Sequence, residues 1–318
     1  MGQAYLAGVV AALHQTLGWD ARTADLVVGS SAGSVTGTAL RMGVAPSDLV
    51  ATATGTPLSA EGARLYEQIL PDSSELPTPP TGSWFRPWRP PTAALVSRTL
   101  HRPLGFRPSV AAVTMLPPGK VRLDSRALPL QRMLGDTWPT GLWICAVRRA
   151  DGARVVFGRP GSPATPLAPA VLASCAIPGY FAPVSIDGVE YLDGGVHSAT
   201  NADVLRTEGL DVAVVVAPMS SSHRQSRSAA GPIRWSVHRR LHRESLRLSE
   251  RGTIVIRFEP GTRTLRAMGY RMMANDRSDR VAAAAAAETR DQIEAEGLRH
   301  LLGSVQTRST SPTPSVRT

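Results

Sequence analysis

The stretch DLVVGSSAGSVTGTAL, residues 25–40, decides the fold. Asp25, Leu26, Val27 and Val28 form an apolar run too short for a helix and bounded by Gly29, which predicts a buried strand. Residues 34–42 then predict a helix, ended by Gly43 and Pro46. Between the two, Gly29, Ser30, Ser31, Ala32 and Gly33 match G-x-S-x-G. A nucleophile between a strand and a helix sits in a strained turn, and small residues two positions either side let the backbone turn without clash. The helix that follows aims its N-terminal N–H groups at the reacting oxygen. A Gly/Ser-rich turn with no chemistry meets the bare pattern equally well. The strand before and the helix after are what favour Ser31 as a nucleophile.

Outward from this turn, residues 4–17 carry Leu6, Val9, Val10, Leu13 and Leu17 at helical spacing, with Gly18 fitting the end. A further helix is predicted over 48–54. Helix, strand, tight turn, helix is the local grammar of a parallel α/β sheet. Downstream, strands are predicted over 142–147 and 154–157, joined by the turn residues Asp151 and Gly152. Further strands are predicted over 189–192, after the turn Asp187-Gly188, and over 212–216 and 254–258. Helices are predicted over 167–174, 233–248 and 276–302, the last through an alanine run from Ala282 to Ala287. Residues 71–120 are dense in proline and predict an insertion or lid, with a short helix near 93–100. The Ser, Thr and Pro-rich residues 303–318 predict a disordered tail. The expected organisation is one domain over 1–302.

The chain has 318 residues, 42% hydrophobic and 19% charged, which supports a buried core and excludes disordered and collagen-like classes. No apolar run approaches the roughly 18 residues that span a bilayer. Met1 to Val10 lacks the pattern of a secretory signal, and Leu6 stands where a myristoylation motif needs Ser or Thr. Cys145 and Cys175, in the apolar contexts WICAV and LASCAIP, predict buried free thiols and a cytoplasmic location. No metal-ligand spacing occurs, and no cofactor is expected. The net charge of +10, with Lys120 the only lysine, favours anionic surfaces. Without zinc-finger or RNP-type motifs, nucleic acid is not expected.

A serine hydroxyl needs a base. For a Ser…Asp…His order, His197, His223, His238, His242 and His300 are available, and none sits in a context that marks it. Asp193 ends an apolar strand in YLDGG, followed by Gly194 and Gly195, where an α/β sheet places catalytic groups. A turn-forming Asp-Gly is the plain alternative.

These two motifs together resemble the patatin-like phospholipase family. DLVVGSSAGSVTGTAL is similar to its nucleophile region. ASCAIPGYFAPVSIDGVEYLDGGVHSATNADVL is similar to its second block, with S-x-A-I-P, F-x-P, D-G-G and an Asn several residues on. The resemblance implies a three-layer α/β/α sandwich with a mainly parallel sheet. It implies a lipid acyl hydrolase working through a Ser31–Asp193 dyad without histidine. The family also places a G-G-G-x-x-G oxyanion loop before the first helix. Gly2 matches its last glycine, beside Ala32 as a second donor, and the earlier glycines and first strand are absent. Two readings stay open: a start further upstream, or a catalytically impaired or non-catalytic lipid-binding protein. A Ser–His acyl hydrolase or acyltransferase, with His197 tested first, is a further alternative.

Membrane contact has two carriers. Residues 84–89 mix Trp84, Phe85 and Trp88 with Arg86 and Arg89. The helix over 233–248 places Ile233, Val237, Leu241 and Leu248 near one face, with Arg234, Arg239, Arg240, Arg243 and Arg247 around the others. Both suit peripheral contact with an anionic membrane; a packed lid and a solvated basic helix are the alternatives.

Overall fold

The computed structural model describes residues 1–69, 90–101, 107–123, 135, 137–222, 231–269 and 276–299. The chain opens with helix α1 (Gly2–Leu17), which ends at Gly18 in the left-handed conformation, φ 69°, with its N–H on the His14 carbonyl. Strand β1 (Val27–Gly29), α2 (Ala32–Arg41) and α3 (Pro46–Thr54) follow. Next come α4 (Ala60–Ile69), α5 (Ala93–His101) and α6 (Pro108–Thr114). The centre holds β2 (Leu142–Arg148), β3 (Ala153–Phe157), α7 (Leu167–Ser174), β4 (Val184–Ile186) and β5 (Val189–Asp193). The last part runs β6 (Val212–Val216), α8 (Gly231–Ser249), β7 (Ile254–Phe258), α9 (Thr262–Met268) and α10 (Ser278–Ala295). Sequence reading did not anticipate α4, α6, β4 or α9. Residues 84–89 and 303–318 lie outside the described residues.

β2 is the hub. Leu142, Ile144 and Ala146 face one core with Val10, Leu40, Val44 and Leu167. Trp143 and Cys145 face the other side with Val204, and Val147 packs there on Val110 and Leu192. Both faces are covered, so the strand reads as an unbroken apolar run although its side chains alternate. The β6–β7 ribbon is layered in the same way. Ile256 and Phe258 meet α1 and α10 through Val9, Leu13 and Val281, while Ala213 and Val215 meet α8 through Leu241 and Leu248. Helices therefore cover both faces of the strands, as the α/β/α expectation requires.

The sheet is mixed, which corrects the expectation that it is mainly parallel. β1 pairs with β2 in parallel, but β3 and β5 run antiparallel to β2, and β4 antiparallel to β5. β6 and β7 form a separate parallel pair. The physical reason is connection length. Two-residue turns such as Asp187-Gly188, with φ 49° and 76°, close hairpins, whereas a parallel pairing needs a crossover.

One consequence of the mixed sheet positions everything below. β1 and β5 share the same edge of β2, end to end and pointing at each other. Gly29, the last residue of β1, lies opposite Ile144, and Asp193, the last of β5, lies opposite Ala146. Both strands stop where their C-termini meet, across Cys145.

α8 also differs from its sequence reading. Arg234 is buried, with Nη1 donating to the Pro218 carbonyl at 2.7 Å, while Ile233 points outward at 55% exposure. The face turned to solvent carries Ile233, Arg239, Arg243, Leu246 and Arg247, and Leu241, Glu244 and Leu248 turn inward. Assigning Ile233 to the apolar face ignored the neighbour that draws Arg234 inward. Cys145 and Cys175 are free thiols. Among the described residues no helix is long and apolar enough to cross a membrane.

Candidate active site

Ser31 ends the turn after β1 with φ 53° and ψ −124°, a conformation that costs a non-glycine residue on the order of 1–3 kcal/mol and persists only where the surroundings hold it. The holding group is Ser174, at the end of α7. Its carbonyl and its hydroxyl both accept from the Ser31 N–H, at 3.1 and 3.0 Å. The Ser174 hydroxyl in turn donates to the Cys145 carbonyl at 2.7 Å, which ties the elbow to β2. Below, the Ser34 hydroxyl donates to the Ser31 carbonyl at 2.7 Å.

Gly29 is required sterically. A Cβ there would lie 2.5 Å from both the Gly33 carbonyl oxygen and the Ser34 Cα. Gly33, the other glycine of the motif, has open space around the corresponding position. The expectation that both flanking positions must be small therefore holds for Gly29 and not for Gly33.

Ser31 is the cap of α2, at the helix's N-terminal, electropositive end. The Ala32 N–H takes part in none of the backbone bonds among the described residues. The N-terminus of α1 arrives at the same point: a Cβ on Gly2 would stand 3.2 Å from the Ala32 Cβ. Two helix N-termini thus converge beside Ser31, and their partial positive charge favours an anion there.

Asp193 faces Ser31 from the opposite strand end. The Gly195 N–H donates to its carboxylate at 2.7 Å, and the neighbouring Ser31 hydroxyl favours its ionised form. Its own N–H is held by the Ala176 carbonyl at 3.0 Å. The residue is 5% exposed. Burial pushes its carboxyl up to about 6, against the pull of the Ser31 and Gly195 hydrogen bonds. Such a group is ionised at neutral pH yet basic enough to accept a proton. Gly194 passes so close to the elbow that a Cβ would lie 2.2 Å from the Cys145 carbonyl oxygen and 2.5 Å from the Ser30 hydroxyl. The glycines after Asp193 therefore do more than turn the chain.

The Nδ1 of His197 makes no hydrogen bond with this pair. None of the described histidines hydrogen-bonds Ser31. The His197 Nδ1 is buried without a partner, and burial pulls the ring down to about 4, so it is neutral at physiological pH. His223 and His300 lie outside the described residues. No group of three or more His, Cys, Asp or Glu side chains among the described residues is placed to hold a metal.

Sequence reading missed several groups that build the site. Ser174 lies within the quoted S-x-A-I-P block, and its proximity to Ser31 depends on α7 packing on β2. Asn201, fully buried and left-handed at φ 51°, donates from Nδ2 to the carbonyls of Gly194 and Ser198 and contacts the Ser30 hydroxyl. Arg154 on β3 donates to Asn201 and, through two bonds, to Asp203. Nothing local in the sequence marks Arg154.

A family model described as Patatin-like phospholipase matches residues 1–206. That span covers β1, the elbow, β5 and the Asp193 turn. No curated protein matches the chain. The chain belongs to the patatin-like phospholipase family, and that membership supports a lipid-ester hydrolase.

Proposed function

We propose, from this membership and from the geometry around Ser31, that the chain is a serine-dependent lipid acyl hydrolase that works through Ser31 and Asp193. The observation that carries the reading is a strained serine beside a buried carboxylate whose ionised form its hydroxyl favours. In the proposed reaction Asp193 accepts the Ser31 proton as Oγ attacks the acyl carbonyl. The oxyanion that forms is held by the Ala32 N–H and by the first N–H groups of α1 at Gly2. The tetrahedral intermediate collapses, the alcohol leaves with the proton from Asp193, and an acyl-Ser31 ester remains. Water then attacks this ester as Asp193 accepts its proton. The fatty acid departs and the proton returns to Ser31.

The substrate is an acyl ester of a lipid. The outward face of α8, with Arg239, Arg243 and Arg247 beside Ile233 and Leu246, supports peripheral contact with an anionic membrane that presents it. The free thiols support a reducing, cytoplasmic location.

The test is covalent labelling with a fluorophosphonate probe. Labelling that Ser31→Ala abolishes, with hydrolysis of a lipid ester lost in Asp193→Asn, supports the proposal. A folded chain that takes no label and hydrolyses no ester, yet binds lipid, would establish the non-catalytic reading.

A further inference from the structure

The peptide unit between Gly194 and Gly195 touches the Asp193 carboxylate with one end and Asn201 with the other. Its N–H, on Gly195, donates to Asp193 Oδ1 at 2.7 Å. Its C=O, on Gly194, accepts from Asn201 Nδ2 at 3.3 Å and from the N–H groups of His197 and Ser198 at 3.0 and 3.2 Å. A carbonyl that accepts hydrogen bonds polarises its peptide and strengthens the bond its N–H donates.

The Asn201 amide points this way because Arg154 allows no other orientation. Arg154 Nη1 donates to Asn201 Oδ1 at 3.1 Å. A guanidinium offers only donors, so a flipped amide would set N–H against N–H. Arg154 is itself fixed by two bonds to Asp203, at 2.5 and 3.0 Å. The loop that carries Asn201 is gripped from α8. Glu244 accepts from the Ser198 and Thr200 hydroxyls at 2.7 and 2.8 Å and from the Ala202 N–H at 3.2 Å. Arg240 closes the group on Glu244 at 3.0 Å.

We propose that Asn201 is a positioning residue: its amide, oriented by Arg154, aims and polarises the Gly194–Gly195 peptide toward the Asp193 carboxylate. The assignment deepens the reading of Asp193 as the base and rests on it for its catalytic meaning. Its electrostatic content does not depend on turnover. With the amide gone, the Gly195 N–H holds the carboxylate less firmly, and Asp193 keeps its proton to higher pH.

The other groups near Asp193 do not supply this effect. The Cys175 thiol, from the end of α7, is pushed up to about 12 by burial, with the Asp193 charge adding to it, and stays neutral. His197, on the loop that follows Asp193, is neutral above about 4. Arg154 from β3 is neutralised by Asp203, and Arg240 by Glu244 on α8.

Asn201→Gly is the variant of choice. Glycine accepts the left-handed backbone, and the Arg154–Asp203 pair stays in place. The readout is the titration of the Asp193 carboxyl by carbon-13 NMR of the full chain, assigned by its loss in Asp193→Asn. The midpoint is expected to rise by about half a unit, and the acidic limb of kcat/KM to move with it at nearly constant KM. Arg154→Lys, which retains charge and loses the fork, is expected to show a smaller shift of the same sign. It also serves as the reporter if Asn201→Gly does not fold. An unmoved midpoint in a folded variant overturns the proposal. Absence of fluorophosphonate labelling in the parent, with the midpoint still rising, would instead remove the catalytic reading and leave the relay standing.

Discussion

Gly29 and Asp193 end their strands two β2 positions apart, Gly29 opposite Ile144 and Asp193 opposite Ala146, on the same edge of the same strand. Strand pairing therefore sets the distance between the elbow and its carboxylate. A parallel β1 and an antiparallel β5 on one edge of β2 bring two C-terminal ends face to face, an arrangement that two parallel strands on that edge could not give.

As the base of the proposed dyad, the Asp193 carboxyl, pushed up by burial to about 6, is expected to set the low-pH limb of the reaction. Activity is expected to rise with pH through about 6 as the base ionises, measured as kcat/KM on a soluble ester. Stability runs the other way. In the unfolded chain this carboxyl ionises near ~3.9, so below that pH it is neutral in both states and costs nothing. Between ~3.9 and 6 the unfolded chain releases this proton while the folded state still keeps it, so stability falls as pH rises. Asp193→Asn is expected to melt higher than the parent above pH 6, with the gain vanishing by about pH 4. An equal melting difference at both pH values would contradict this.

Gly29 and Gly33 are expected to respond differently to alanine. Gly29→Ala drives a Cβ into backbone atoms of Gly33 and Ser34, and a loss of about 1–3 kcal/mol with displacement of Ser31 is expected. Gly33→Ala meets open space inside a helix, where alanine is preferred by about 1 kcal/mol. Thermal melts should rank Gly33→Ala at or above the parent and Gly29→Ala below it.

His197→Ala separates the dyad from a histidine-based mechanism. A general base contributes about 10²–10⁴ in rate. The ring is neutral and does not hydrogen-bond Ser31, so the variant is expected to keep most of its esterase rate while Asp193→Asn loses it. A kcat as low as that of Asp193→Asn would establish the Ser–His alternative.

The outward arginines of α8 are expected to govern binding to anionic bilayers. Each basic side chain at such a surface contributes about 1 kcal/mol, so replacing Arg239, Arg243 and Arg247 by Gln should weaken binding to phosphatidylglycerol vesicles roughly a hundredfold. Sedimentation of the parent and the triple variant measures this. Hydrolysis of a monomeric ester serves as the control and should be unchanged. Equal binding by both proteins would remove α8 as the contact.

Local chemistry made much of this molecule legible from the sequence. The apolar run DLVV, the glycines of the elbow and the spacing of Leu6, Val9, Leu13 and Leu17 each act over a few residues, so β1, α2 and α1 stand where reading places them. Asp193 at the end of a strand before two glycines was visible for the same reason. The direction of the strands was less visible. The turns Asp151-Gly152 and Asp187-Gly188 already required hairpins, yet the β1–α2 pattern suggests a mainly parallel sheet. Neither did periodicity reveal that Arg234 turns inward on α8, because the carbonyl that draws it, at Pro218, lies 16 positions earlier and outside the helix.

The sequence by itself determined most of the elements, though not α4, α6, β4 or α9, together with the strained turn at Ser31 and the carboxylate at Asp193, since each depends on backbone preferences and neighbours within about one helical turn. Only the tertiary structure decided that these two meet, that Ser174 holds the turn, and that Arg154 and Asn201 reach Asp193 through a single peptide. Ser174 lies 143 positions from Ser31 and Arg154 lies 47 from Asn201, and these relationships are set by strand register and core packing, which no local pattern records.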